Sequence, residues 1–148
     1  MAERRFAAVA SYEGKVSLPQ RKTARSAGYD LAAAAAMTIE PGKVGLVPTG
    51  LKVYMADDEV LLLYVRSSLA AKRGLMLANG VGVVDSDYAD NPDNEGHIMV
   101  ALANWGGAPV TIAAGERIAQ GIFTKYLTTA DDEAQGQRLG GFGSTGQA

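Results

Sequence analysis

The sequence predicts an all-β domain, because short apolar segments alternate with turn-forming residues along most of the chain. Residues 60–65 combine Leu, Val and Tyr in a run short enough for a buried strand. Asn79-Gly80 is a strong turn signal, and β-branched valines follow it. Residues 32–36 are all alanine and have a high helix propensity, but they lack a polar face with a 3.6-residue period. We therefore expect strands joined by turns here as well.

The expected strands are bounded by proline, glycine and polar turns. Residues 18–23 are extended, because a residue before proline avoids the α region. The turn Glu40-Pro41-Gly42 stands where a strand should end. The predicted strands are residues 6–12 at a sheet edge, a segment ending at 39, and then 44–50, 51–55, 60–65, 97–104, 110–112 and 118–123, with a polar loop at 90–96.

One short helix is expected at residues 69–73, with a serine at its N-cap and Gly74 just past its end. The start of such a helix offers free backbone N–H groups and serine hydroxyls, and Arg66 stands beside it. These residues suit a phosphate site. They suit a capped turn with a surface arginine equally well.

The segment 79–88 is predicted to be a hairpin whose second strand ends in polar residues. In an extended chain Asp85 and Asp87 face one way, while Ser86 and Tyr88 face the other. A carboxylate at a strand end can orient or deprotonate a water molecule, and a nearby aromatic ring can lie against a flat ligand. Residue types alone favour a simpler interpretation, a surface turn with solvated acids.

Composition restricts the class of protein. At 148 residues with 47% hydrophobic content, the chain suits one domain with a substantial core. A net charge of −2 and the lack of a basic run argue against nucleic acid as a partner. Cysteine is absent, which excludes thiolate catalysis, and the single His97 cannot form a zinc site alone. Because neither a signal peptide nor a membrane-spanning run is recognisable, we expect a soluble protein of the cytoplasm.

The composition changes after residue 127, which divides the chain into a β domain at 1–127 and a C-terminal arm at 128–148. The arm is first polar and then glycine-rich, and its glycines lower its order in the free chain. Composition alone favours a disordered tail. A phosphate-binding tail is the sharper hypothesis, because Arg138, Phe142, Ser144 and Thr145 are types that bind anions or stack on a ring.

Five segments, in order, resemble the motifs of the homotrimeric dUTP pyrophosphatase (dUTPase) family. They are residues 27–31, 66–69, 79–88, 115–120 and 138–146. Five such motifs in register are highly specific, and they extend over nearly the whole chain. The resemblance implies an all-β distorted jelly roll in a homotrimer, where each site takes pieces of all three chains and a glycine-rich arm closes over a neighbour's site.

The chain departs from the family pattern in three places. Loop 89–96 is longer than the Tyr-x-Gly step that usually follows the third motif. In this longer loop the chain resembles Gram-positive bacterial and phage members of the family. Arg138 stands four residues before Phe142, where many members have five. Glu116 replaces an aspartate common in the fourth motif, and the charge is kept.

The resemblance also implies an activity, the Mg²⁺-dependent hydrolysis of dUTP to dUMP and pyrophosphate, which limits uracil incorporation into DNA and supplies dUMP for dTTP synthesis. Asp85 would activate the water that attacks the α-phosphorus. Asn79 and the backbone at Val83 and Val84 would read the uracil edge, and Tyr88 would lie under the deoxyribose. The other substrate-binding residues implied are Arg66, Ser67, Ser68, Met99, Gln120, Arg138, Phe142, Gly143, Ser144 and Thr145, with Phe142 stacking on uracil.

The expected cofactor is Mg²⁺ without a direct protein ligand, and Asp30 would act through water. Two alternatives to a dUTPase stay open. A dCTP deaminase-like enzyme shares the jelly roll and the Arg-Ser-Ser segment, but the resemblance assigns it a catalytic glutamate and a different hairpin. A nucleotide-gated trimer that binds a regulatory protein, as is suspected for some phage members, would use the acidic loop at 90–95.

Overall fold

The computed structural model describes residues 3–141. Within this range the fold consists mainly of antiparallel β-strands. The strands are β1 (Arg5–Ala8), β2 (Tyr29–Ala32), β3 (Met37–Ile39), β4 (Val44–Pro48), β5 (Leu51–Tyr54), β6 (Glu59–Val65), β7 (Leu75–Leu77), β8 (Gly82–Asp85), β9 (Met99–Asn104), β10 (Val110–Ile112) and β11 (Arg117–Lys125). The helical elements within this range are a 3₁₀ turn at Ala10–Tyr12 and α1 at Ser67–Arg73. Neither of them is long and apolar enough to cross a membrane.

The strands form two larger sheets and two small ones. The larger sheets have the orders β2-β11-β6-β8 and β4-β9-β7, and the pairs β1-β5 and β10-β3 complete the structure. Leu31, Leu61 and Ile118 from the first sheet and Leu102 from the second are fully buried in one cluster. Residues from both larger sheets therefore point into a shared core. This arrangement confirms the predicted all-β jelly roll.

The alanine-rich segment forms no helix, as predicted. Tyr29–Ala32 is β2 and pairs with β11, and the Ala33 N–H donates to the Glu116 carbonyl at 2.8 Å. The predicted turn after β3 also forms, with Gly42 at φ +73°. Strand pairing overrides the helix propensity of alanine here, since these residues have no polar face to present to water.

Two local predictions are wrong. The N-cap of α1 is Arg66 rather than a serine, and the cap makes no side-chain hydrogen bond within the described part of the chain. Gly74 does end this helix in the left-handed region, at φ +66°, as predicted. The strand predicted at residues 6–12 instead runs over Arg5–Ala8, because the chain turns into the 3₁₀ element at Ala10–Tyr12.

The segment 79–88 is not a two-stranded hairpin, which corrects the sequence-based prediction. β7, before the turn, pairs with β9, whereas β8, after it, pairs with β6. Gly80 has φ +74°, but among residues 3–141 the non-glycine residues with positive φ are Asp90 and Glu95, so Asn79 cannot complete a type I′ turn. The turn instead carries the chain from one sheet to the other. It leaves β8 as an edge strand with an open side.

Candidate active site

A pocket, called here the Asp85 pocket, lies along the end of β8. The alternation along this strand leaves Val83 and Asp85 exposed and buries Val84. The structure brings together seven predicted site residues in its wall: Asn79, Val83, Val84, Asp85, Tyr88, Met99 and Arg138. The strand and the turn that follows it thus present a carboxylate, an amide and an aromatic ring to one cavity.

Arg138 of the C-terminal arm lies across the two acids of this pocket. Its Nη2 donates to Asp85 Oδ2 at 2.5 Å, and its Nε donates to Asp87 Oδ1 at 2.7 Å. The arginine is 16% exposed, whereas Asp85 and Asp87 are 50% and 59% exposed. The two acids share a side as predicted, although β8 ends at Asp85 and a turn follows, with the Tyr88 N–H donating to the Asp85 carbonyl.

Tyr88 also lines the pocket and is 9% exposed. Its hydroxyl donates to the His97 carbonyl at 2.7 Å and accepts from Asn94 Nδ2 at 2.8 Å. Burial raises the pKa of the tyrosine hydroxyl, which keeps it neutral. Gly141 of the arm approaches the ring so closely that a Cβ there would lie 2.7 Å from Tyr88 Cε1. A side chain at position 141 would therefore force the arm off the ring.

A second pocket, called here the Arg66 pocket, gathers the polar residues of three other motifs. Its walls include four of the predicted site residues, Arg66, Ser67, Gln120 and Asp30, together with Gly28. Strand register explains the grouping, because Gln120 of β11 pairs with Asp30 of β2 on one side and with β6 on the other. Ser68 lies on the exposed first turn of α1 beside this pocket.

Asp30 is the acid of the Arg66 pocket, and two arginines face it. Its Oδ1 lies 3.7 Å from Arg66 Nε, and its Oδ2 lies 3.4 Å from Arg117 Nη1. The carboxylate therefore lies against Arg66, the residue that precedes the first turn of α1. This constellation suits an anion with several oxygen atoms.

The two pockets lie at opposite ends of β6. Asp85 is opposite Val60 near the start of this strand, and Arg66 follows Val65 at its end. Six residues of extended chain span about 20 Å, at roughly 3.3 Å per residue. A base must approach its proton to about 3 Å, directly or through one water. Within one chain, then, the side chains of Asp85 and Arg66 cannot act on the same phosphate.

Sequence reasoning missed several residues around these pockets. Lys22 lines the Arg66 pocket, Arg117 pairs with Asp30, and Asn94 binds Tyr88. Arg117 stands inside the fourth family-like motif, which was a usable signal. Lys22 and Asn94 carry no local pattern that separates them from other polar loop residues. The predicted substrate-binding residues Phe142, Gly143, Ser144 and Thr145 lie outside the described residues.

Comparisons with known proteins identify the family of the chain. The dUTPase family model matches residues 14–146. A deoxyuridine 5'-triphosphate nucleotidohydrolase of Lactococcus lactis is 48% identical and aligns over 99% of both chains. One from Desulfitobacterium hafniense is 45% identical over 87% of both chains.

Solved structures are similar as well. The crystal structure of dUTPase from Streptococcus mutans has a TM-score of 0.81 and 46% identity, and the match covers 84% of this chain and 98% of that one. A mutant dUTPase of Staphylococcus bacteriophage 80alpha with dUpNHpp has a TM-score of 0.75 at 19% identity, covering 90% of this chain and 97% of that one, so it shows the fold alone. The family-model match and the full-length similarity together show that the chain belongs to the dUTPase family.

Proposed function

We propose that this chain hydrolyses dUTP to dUMP and pyrophosphate in the cytoplasm, with Asp85 as the general base. One observation carries the proposal beyond family membership. The Asp85 carboxylate stands at the open end of an edge strand, in one pocket with an aromatic ring and an amide side chain. Asp85 can act as the general base, the aromatic ring can pack against a flat group of the substrate, and the amide can hydrogen-bond the edge of a nucleobase. Together these groups suit the hydrolysis of a nucleotide.

The reaction begins when Asp85 accepts a proton from a water molecule and directs the water oxygen at the α-phosphorus. The new O–P bond forms as the bond from the α-phosphorus to the bridging oxygen breaks, and pyrophosphate leaves with the electron pair. Asp85 suits this role because it lines the pocket and half of its side chain is exposed. Nucleotide binding would first have to draw Arg138 away from this carboxylate, and the phosphates offer that arginine equivalent acceptors.

Uracil and deoxyribose are recognised at the wall of the Asp85 pocket. The Asn79 side chain and the backbone at Val83 and Val84 hydrogen-bond the uracil edge, which excludes cytosine because its amino group would face a donor. Tyr88 lies under the sugar, where a ribose hydroxyl would meet the ring. The arm completes the enclosure, with Phe142 stacked on the base and Arg138, Gly143, Ser144 and Thr145 on the phosphates.

The triphosphate is held by the Arg66 pocket of another subunit. The separation of about 20 Å along β6 supports this assignment, since one chain cannot bring Arg66 and Asp85 to one nucleotide. A homotrimer with shared sites joins the two pockets, and Arg66, Ser67, Ser68 and Gln120 then bind the phosphate oxygens that Asp85 approaches from the opposite side.

The outer face of the β4-β9-β7 sheet supports assembly with further copies. Val44, Leu46 and Met76 point outward and are 56%, 47% and 43% exposed. Their partners on β9 are the alanines of that strand. Met99 continues this face and also lines the Asp85 pocket. An apolar face of this kind is typical of an interface, and its continuity with Met99 leads directly to the site.

The donor set fits Mg²⁺ held by the substrate rather than by a protein cage. Residues 3–141 contain no group of three or more His, Cys, Asp or Glu side chains that could hold a metal ion. Mg²⁺ keeps several waters and binds phosphate oxygens readily, so Asp30 would contact its water shell. When bound, the ion neutralises phosphate charge and stabilises the departing pyrophosphate.

Neither alternative function gains support from a specific observation. The lining of the Asp85 pocket contains no glutamate within the described residues, which disfavours a deaminase-like site. Asp90 and Glu95 of the acidic loop both bind Lys52, so these two acids already have a partner within the chain.

The test is to incubate the protein with Mg²⁺ and dUTP, dCTP, dTTP or UTP and to separate the products. We expect dUMP and pyrophosphate from dUTP and little reaction with the others. Release of ammonia from dCTP, or comparable hydrolysis of all four nucleotides, would overturn the proposal. Native mass spectrometry of the same sample should give three times the chain mass of 15.4 kDa.

A further inference from the structure

The loop that follows Tyr88 holds this residue at both its backbone and its hydroxyl. Asn91 Nδ2 donates to the Tyr88 carbonyl at 2.7 Å. Asn94 Nδ2 donates to the Tyr88 hydroxyl at 2.8 Å, and that hydroxyl donates to the His97 carbonyl at 2.7 Å. The ring of Tyr88 is therefore fixed at its far end by a loop that is longer than the family usually has.

The hydrogen bonds around Asn94 allow only one assignment of donors and acceptors. Asn94 Oδ1 accepts from the Gly96 N–H at 3.0 Å and from Asn91 Nδ2 at 2.8 Å. Since the oxygen of this amide is engaged, the nitrogen must face Tyr88. A carbonyl can only accept, so the phenol proton points to His97. The hydroxyl thus has one donor and one acceptor partner in a fixed order.

The loop itself is anchored to β5. Lys52 Nζ donates to Asp90 at 2.6 Å and to Glu95 at 2.8 Å, and the Tyr54 hydroxyl donates to Asp90 at 2.7 Å. Hydrogen bonds from Lys52 lower the pKa of both acids, so both remain ionised near neutral pH. Asp90 and Glu95 adopt φ of +59° and +65°, a strained region that needs such anchors. Asn94 is therefore held between two fixed ends.

We propose that Asn94 is a positioning residue for the discrimination between dUTP and UTP, acting through the Tyr88 hydroxyl. This inference rests on the proposed function, in which the Tyr88 ring lies under the sugar. A tyrosine ring that is free to rotate could move away from the additional hydroxyl of a ribose. A ring whose phenol hydroxyl is held in place cannot move, so it clashes with the ribose. Selectivity against UTP then depends on how firmly the tyrosine is held as well as on its presence.

The test compares kcat/KM for dUTP and for UTP in the parent, Asn94→Ala, Tyr88→Phe and the double variant. Asn94→Ala should lower the dUTP preference by about fivefold or more, which is the scale of one lost hydrogen bond. Tyr88→Phe should lower it similarly, since the ring stays and the hydroxyl is lost. In the Tyr88→Phe background, Asn94→Ala should have no further effect on the ratio. Asp93→Asn is the matched control, because Asp93 is exposed and donates only its backbone N–H to Asn91 within the described contacts.

Unchanged preference in Asn94→Ala, or an equal effect of Asn94→Ala in the parent and in the Tyr88→Phe background, would overturn the inference. Tyr88→Phe keeps the test decisive should Asn94→Ala fold poorly, because unchanged preference in that variant overturns it too. The activity of the parent enzyme on dUTP distinguishes a failure of the role of Asn94 from a failure of the proposed function. A parent that hydrolyses dUTP selectively while its variants remain equally selective refutes the role of Asn94 alone, whereas a parent inactive on dUTP refutes the proposed function.

Discussion

Arg138 Nη2 lies 2.5 Å from Asp85 Oδ2, so the C-terminal arm is ion-paired with the proposed general base. The same guanidinium also binds Asp87, and it lies 6.0 Å from the centre of the Tyr88 ring. This ion pair engages Asp85 Oδ2, an oxygen that a water molecule would otherwise be able to approach. Transfer of Arg138 from Asp85 to a phosphate group would therefore both bind the substrate and release the base.

The first prediction concerns Asp85. Replacement Asp85→Asn keeps the shape of the side chain and removes the base, so kcat should fall by about 10²–10⁴-fold. Binding of a non-hydrolysable dUTP analogue, measured by calorimetry, should remain close to that of the parent. A variant that turns over dUTP near the parent rate would remove Asp85 from the chemistry.

The second prediction concerns the sugar. UTP should be a poor substrate compared with dUTP, because in the proposed function the Tyr88 ring lies under the sugar, where an additional hydroxyl would meet it. Steady-state kinetics with the two nucleotides measure this directly. Comparable kcat/KM values would exclude Tyr88 from this role and indicate a less selective pyrophosphatase.

Much of the fold could be predicted because local chemistry agrees with tertiary pairing. The apolar run at β6 and the turn at Gly42 are strong signals, and both features are present. The turn at Asn79-Gly80 was misinterpreted because sequence shows where a chain reverses but not which strand it meets afterwards. β8 pairs with β6 across a separation that no local pattern encodes.

Sequence patterns point to candidate residues that stand within one short motif, but not to residues whose position depends on contacts distant in the chain. Asp85 and Tyr88 stand in a compact segment, so one resemblance names both as candidates. Asn94 could not be identified, because its role depends on a loop folding back onto Tyr88 through hydrogen bonds to side chains far from any motif. Residue types in a polar loop do not distinguish an amide that faces solvent from one that holds an aromatic ring.

The third prediction concerns Gly28, which lies against the side chain of Gln120. A Cβ at Gly28 would lie 2.5 Å from Gln120 Oε1, so Gly28→Ala must displace that side chain from the Arg66 pocket. We expect kcat/KM for dUTP to fall by about 10- to 150-fold, which corresponds to one charged hydrogen bond of about 1.5–3 kcal/mol. Gly107→Ala is the control, since a Cβ there meets no atom within 4 Å. Equal activity of the two variants would show that Gln120 does not contact substrate.

The fourth prediction concerns pH and the only histidine. Burial lowers the pKa of His97 below its ordinary value of 6.5, against a smaller opposing effect of Glu95, and its Nε2 accepts the Gly50 N–H at 2.8 Å. As pH falls below 6.5 the unfolded chain takes up the proton first, so the free energy of unfolding should decrease with falling pH until the folded state is protonated too.

Thermal unfolding between about pH 7 and pH 5 measures this effect, because histidine is the side chain that ordinarily titrates there. His97→Gln keeps a hydrogen-bond acceptor and cannot titrate, so its Tm should vary less over this range. The lowered pKa values of Asp90 and Glu95 place their own contributions at lower pH. An identical pH dependence in parent and variant would show that His97 is not the group responsible.

The fifth prediction concerns the arm. Truncation after Gln137 removes Arg138 and the glycine-rich residues beyond it, and turnover should fall sharply. Thermal stability and oligomeric state should change little, because the last core strand, β11, ends at Lys125 and residues 124–137 are exposed. A large loss of Tm in the truncated chain would mean that the arm supports the fold rather than the reaction.

Mixing two inactive variants tests whether each arm serves its own chain or another. In the chain by itself Arg138 binds Asp85 of the same chain, whereas the proposed trimer has each arm closing over a neighbour's site. Full-length Asp85→Asn supplies an intact arm without the base, and the truncated chain supplies the base without an arm. If arms close over neighbouring sites, some mixed trimers combine both, and activity should reappear on co-refolding. Activity no higher than that of the separate variants, with mixed trimers verified by native mass spectrometry, would show that each arm acts on its own Asp85.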